Sequence, residues 1–195
     1  GHRSAALHNN IGVLDHFAGN YPKAFGHLEE ALRLSRQYQY KRLEGYSLLG
    51  LSTLYLDLGA FHEARQAQLQ ALRVAETISG GLILFYAQLA GASIARQEND
   101  WIEAANSLVL ARQEVEERDL LYEMGLWHIE AGRQAIAQYG NGTAVDHFRS
   151  AIDLLDQAGK KAEAAQAYML LAHAYHLTKD PLAQGAMHET LQRCL

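Results

Sequence analysis

The sequence predicts an all-α fold, a solenoid of about five antiparallel helix pairs, and three observations carry that prediction. Segments recur every 40 residues, apolar residues return at spacings of three and four, and alanine reappears at two fixed phases. "GNYPKAFGHLEEAL" (19–32) is answered by "GAFHEARQAQLQAL" (59–72), which sets Gly19 against Gly59, Tyr21 against Phe61, Ala24 against Ala64 and Ala31 against Ala71. The same two alanine phases continue at Ala104 and Ala111, then at Ala144 and Ala151, and the aromatic phase continues at Trp101. A fixed period of this length marks stacked supersecondary units, each unable to bury its apolar face alone.

Each unit reads as two amphipathic helices. In the first, Leu7, Ile11 and Leu14 form one stripe, and Leu28, Leu32 and Leu34 form the next beyond a turn. Alanine at the recurring phases lets the paired helices cross closely, while the aromatic at the head of the second helix wedges against the first. Asn20, Asp100 and Asp180 stand where second helices begin, with side chains able to cap free N–H groups. Pro22 and Pro181 follow in the first turn, where a missing donor costs little. Gly80-Gly81 reads as a helix terminator, since glycine tolerates a left-handed backbone. "GLILFYAQLAGASIA" (81–95) is the most apolar stretch, yet falls short of the roughly 18–20 apolar residues of a membrane span, and reads as a buried helix. The expected units are approximately 5–44, 45–84, 85–124, 125–164 and 165–195, within a single repeat domain 1–195.

This pattern resembles the tetratricopeptide repeat. Ile11, Gly12, Gly19, Tyr21, Ala24, Leu28 and Ala31 occupy its motif positions in the first unit, and Leu51, Ser52, Tyr55, Gly59, Phe61, Ala64 and Ala71 do so in the second. The third unit keeps Trp101, Ala104, Leu108 and Ala111 but has Asn99 for the turn glycine. The fourth keeps Gly132, Ala144, Phe148 and Ala151; the fifth keeps Leu171, Ala172 and Tyr175, then departs at Gln184 and His188. The resemblance implies a right-handed superhelix. The usual repeat is 34 residues, so the longer period implies helices about a turn longer near "SRQYQYKRLE" (35–44). Long repeats of this style are similar to the sensor regions of bacterial signal-responsive transcriptional regulators of the MalT-like type.

Composition sets limits on function. The chain has 195 residues, 49% of them hydrophobic and only 2 of them proline, which suits a folded helical protein rather than a disordered one. Its net charge of −5 lacks the positive field that attracts phosphate backbones, so no direct nucleic-acid contact is expected. No membrane association is expected either. A single cysteine, Cys194, cannot form an internal disulfide and fits the cytoplasm. The chain opens on Gly1 and His2 with no basic or apolar leader pattern, and reads as a piece of a longer protein.

Catalytic patterns do not stand out. Gly159-Lys160 is followed by lysine and lacks the spacing of a phosphate loop, and HExxH, GxSxG and GxGxxG are absent from the sequence. Of ten histidines, His173 and His176 share a helical face, but no Asp, Glu or Cys joins them at ligand spacing, so neither a metal nor a cofactor is expected. The expected function is therefore non-catalytic.

Family resemblance assigns binding to the concave wall built by the first helix of each pair. The 40-residue phase puts Asn9, Val13 and His16 there, then Leu49, Thr53 and Leu56, then Leu89, Ser93 and Arg96. Ile129, Arg133 and Ile136 follow, then Met169, His173 and His176, with Tyr46 and Tyr86 at the rim. Aromatic and arginine anchors are typical of recognition surfaces. Members that clamp a peptide's carboxylate use lysine and asparagine where Asn9 and Val13 stand here, which disfavours that ligand class. The expected role is a binding or sensor module of a regulator, or alternatively a stand-alone adaptor that scaffolds a complex. Its partner would be a protein, a peptide or a small-molecule inducer. A last apolar stripe, Ala183, Met187, Leu191, Cys194 and Leu195, predicts weak self-association through the C-terminal helix.

Overall fold

The computed structural model describes residues 1–118, 120–138, 141–178, Gly185, His188, Thr190 and Gln192. Its order is α1 (His2–Phe17), α2 (Tyr21–Gln37), α3 (Lys41–Asp57), α4 (Phe61–Thr77), α5 (Gly81–Gln97), α6 (Trp101–Val115), a 3₁₀ turn (Glu116–Arg118), α7 (Leu121–Gln138), α8 (Asn141–Gln157) and α9 (Lys161–Thr178). No strand occurs among the described residues. From α2 onward, successive α-helices begin 20 residues apart, so two helices fill one 40-residue repeat. Residues 35–37 extend α2, and α3 begins only four positions later at Lys41, which places the extra helical length of the repeat at the expected edge. Asp180, Pro181, Gln184 and the apolar stripe from Ala183 to Leu195 lie outside the described residues.

Two compact units divide the chain, Gly1–Asn99 and Asp100–Leu195. In the first, α1 pairs with α2 and α3 with α4, while α3 also packs on α1, α2 and α5. In the second, α7 packs on α6, α8 and α9, and α8 on α9. The alanines at the two repeat phases are fully buried in both: Ala24, Ala31, Ala64 and Ala71 in the first, Ala104, Ala111, Ala144 and Ala151 in the second, all at 0% exposure. Small side chains at these positions let two helices approach closely, as the sequence predicts. The apolar run of α5 buries Ile83, Phe85, Ala87, Leu89, Ala92, Ile94 and Ala95.

One turn type recurs at the described helix ends. The backbone N–H groups of Asn20, Tyr40, Ala60, Gly80 and Lys160 donate to the carbonyls of Asp15, Ser35, Tyr55, Ala75 and Leu155, five residues back, at 2.8–2.9 Å. That bond closes a Schellman cap and requires a left-handed residue just before it. The left-handed positions are Gly19, Gln39, Gly59, Ser79, Asn99 and Gly159, with φ between 49° and 74°. Gly80-Gly81 is thus not the terminator that the sequence suggests. Ser79 takes the left-handed conformation at φ 49°, while Gly80 has φ −84° at the head of α5. The cap geometry fixes that conformation one residue earlier than the glycine pair.

Because a left-handed backbone crowds a Cβ against the following carbonyl, Ser79→Gly is expected to stabilise the protein by about 1 kcal/mol. Urea unfolding checks this, and an unchanged or lower midpoint contradicts the strain. Capping differs in a second place. Asp100 Oδ1 accepts from the Glu103 N–H at 3.0 Å as expected, but Asn20 makes no side-chain cap; its amide instead donates to Asp15 Oδ1 at 3.4 Å.

Candidate interaction groove

A cavity of about 360 Å³ opens in the first unit, lined by Val13, His16, Phe17, Gly19, Tyr21, Gly50, Thr53 and Asp57. It forms where the last turns of α1 and α3 meet the head of α2. The Schellman turn at Gly19 reverses the chain, so Tyr21 returns over the end of α1 and its ring centroid lies 5.9 Å from that of His16. Phe17 stacks with His16, ring centroids 6.2 Å apart. Gly50 allows α3 to approach closely, because a Cβ there would meet Leu28 Cδ2 at 2.7 Å.

Polar groups join the lining of the groove. His16 Nε2 and Asp57 Oδ2 are 2.8 Å apart, joining α1 to α3. The Thr53 hydroxyl donates to the Leu49 carbonyl at 3.0 Å, so its proton is engaged within α3. The walls are apolar and open: Phe17 is 84% exposed and Tyr21 37%. An apolar concavity with a few fixed polar groups is the usual form of a ligand site, and aromatic rings supply contact area with little conformational entropy to lose.

Three wall residues predicted from sequence, Val13, His16 and Thr53, line this groove. The others stand elsewhere. Asn9 is half-buried and accepts from the Ser47 hydroxyl at 3.3 Å. Leu49 and Leu89 are buried, each 8% exposed. Tyr46 and Tyr86 are half-buried and pack on the cluster of Leu48, Leu49, Ala71, Ala75, Ile83 and Ala87. Leu56, Ser93 and Arg96 are half-buried in the same unit. In the second unit, Ile129 is buried, Ile136 packs on the core around it, and Arg133 bonds to Glu130. Met169, His173 and His176 are exposed along α9.

Phe17, Gly19, Gly50 and Asp57 were absent from the predicted wall, as was Tyr21, which the sequence reading treats as an internal wedge. The signal for Asp57 lies in the repeat itself. Corresponding first helices meet near an offset of one period, as in His16 with Asp57 and in the Tyr122 hydroxyl donating to Glu163 at 3.0 Å, both 41 residues apart. Burial and the Glu163 carboxylate push the Tyr122 hydroxyl up to about 12. Glu44 is the buried acid of the first unit. Burial raises its pKa, but hydrogen bonds from Lys41 Nζ at 2.8 Å and Arg36 Nε at 3.1 Å outweigh that and hold it below the usual carboxylate value. Glu44 thereby ties α2 to α3.

No curated protein matches the chain. Among solved structures it is similar to the crystal structure of BtubC (BKLC) from P. vanneervenii, with a TM-score of 0.74 and 17% identity, covering 98% of this chain and 81% of that one. At that identity the likeness speaks for the fold. No described helix is long and apolar enough to cross a membrane. Residues 3–77, which hold α1 to α4 and the groove, match the tetratricopeptide repeat family model.

Proposed function

We propose that the chain is a non-catalytic protein- or peptide-binding module whose contact site is the groove of the first unit, serving as the sensor or interaction region of a larger cytoplasmic signal-responsive regulator. The observation that carries this reading is the pair of exposed rings, Phe17 and Tyr21, flanking the His16–Asp57 bridge in a concave site. Phe17 leaves most of its surface, 84%, exposed to solvent. The match of residues 3–77 to a repeat that generally binds protein partners supports the same reading. The regulator context rests on the 40-residue period.

Selection of a random peptide library on the immobilised protein tests the site. The Phe17→Ser, Tyr21→Ser double variant is expected to lose at least about thirtyfold in affinity for selected peptides, the scale of two hot-spot residues, with helicity unchanged. Peptides that bind wild type and variant equally would place the site elsewhere, and a selection that enriches nothing would remove the reading.

A further inference from the structure

Pairs of helices in this fold meet at an offset of 19 residues, and two of those meetings are histidine on histidine. His8 Nδ1 lies 2.9 Å from His27 Nδ1 between α1 and α2, and His128 Nδ1 lies 3.0 Å from His147 Nδ1 between α7 and α8. The two pairs occupy the same repeat phase, 120 residues apart. His173 and His176 already share a helical face in the sequence, whereas these cross-helix pairs appear only on folding.

We propose that His8 and His27 form a two-nitrogen site for a divalent late transition metal, Cu(II) or Ni(II), bridging α1 and α2. Two nitrogens held at right angles about 2.0–2.1 Å from a shared ion stand about 2.9 Å apart, the bite of neighbouring ligands in the tetragonal geometry these ions prefer. The observed separation is 2.9 Å. A tetrahedral ion such as Zn(II) would need a wider one. Asp15 Oδ2 lies 3.9 Å from His27 Nε2, which favours a proton on that outer nitrogen and leaves the Nδ1 lone pair facing His8. His8 then carries the shared proton on Nδ1; when the ion replaces it, that proton moves to His8 Nε2 and the ring charge is unchanged.

The surroundings separate the two pairs. Asp15 stands near His27, and Glu30, although hydrogen-bonded by Arg33, is within electrostatic reach of His8, so each ring of the first pair has a carboxylate nearby. Arg112 lies near the second pair, stacked over Trp127, whose ring touches both His128 and His147. Burial and Arg112 disfavour a cation there, although Asp146 favours one at His147, so His128 and His147 serve as the internal control. Among the described residues no group of three or more His, Cys, Asp or Glu is placed to hold an ion, so water completes the coordination at His8 and His27.

The test titrates Ni(II) and Cu(II) chlorides into the protein, followed by calorimetry, thermal unfolding and, for copper, electron paramagnetic resonance. All chains carry His2→Gln, so that an N-terminal amine and His2 cannot chelate. The expected result is one ion per chain, a raised unfolding midpoint because the site exists only in the folded pair, and a copper spectrum split by two imidazole nitrogens. His8→Gln and His27→Gln should each weaken binding at least about tenfold and remove the midpoint shift, with helicity retained, while His128→Gln leaves both unchanged. An unshifted midpoint in the parent, equal binding by His8→Gln and His27→Gln, or an equal loss in His128→Gln overturns the proposal.

Discussion

Leu54→Ala is expected to destabilise the protein by about 2–5 kcal/mol, the range for deleting a buried leucine, whereas Leu14→Ala should stay within about 0.5 kcal/mol. The two leucines occupy the same phase of successive repeats, 40 residues apart. Leu54 is 0% exposed in the cluster of Ala24, Leu28, Leu51 and Ala67, with Val13, Phe25, Leu32 and Tyr55 around it. Leu14 is 66% exposed. Ile94, at the next step of the phase, is buried like Leu54. What differs is position in the stack. In α3 this face turns inward among α1, α2 and α4, but on α1 it carries Leu7 and Leu14 outward at 59% and 66% exposure. Urea unfolding of the two variants side by side decides the matter, and equal losses would contradict the burial difference.

Acidification is expected to weaken the second unit through His128. Burial first, then His147 and Arg112, depress His128 from 6.5 to about 4. Burial, with Arg112 adding to it against Asp146, depresses His147 as well. In the unfolded chain His128 titrates near its ordinary value, so between pH 6.5 and 4 the unfolded state binds a proton that the folded state refuses. Stability is therefore full above that window and falls as the pH drops through it. At about 1.4 kcal/mol per pKa unit, and discounted for solvent screening of a half-buried ring, this one group contributes on the order of 1–2 kcal/mol. Unfolding free energies of wild type and His128→Gln, measured from pH 7 to pH 4.5, should diverge, with the variant the flatter. Parallel curves would show that His128 is not the source. Glu44 loses its ion pairs only at lower pH, because its pKa is held below the usual carboxylate value.

How much of this was readable beforehand follows from which interactions are periodic. Ala24, Ala64, Ala104 and Ala144 announce a close helix crossing because each repeat must solve the same steric problem, and all four are 0% exposed. The turns were readable only in part. Gly19 and Gly59 mark the left-handed cap, but Gln39 and Ser79 adopt the same conformation without a glycine to announce it, since the cap hydrogen bond holds the backbone there whatever the side chain. Of the predicted wall, Val13, His16 and Thr53 line the groove. Leu49 and Leu89 are buried instead, because helical phase alone does not tell a groove from a core.

The sequence by itself determined the all-α class, the helix pairing and the small residues at the crossings, because those depend on period and on side-chain volume. Only the tertiary structure decided which aromatic rings frame a cavity, which carboxylate meets His16, and that His8 faces His27 while His128 faces His147. Those outcomes depend on the offsets of 19 and 41 residues at which neighbouring helices touch. An offset of that kind is set by interhelical packing distance and crossing geometry, neither of which is written in any one helix.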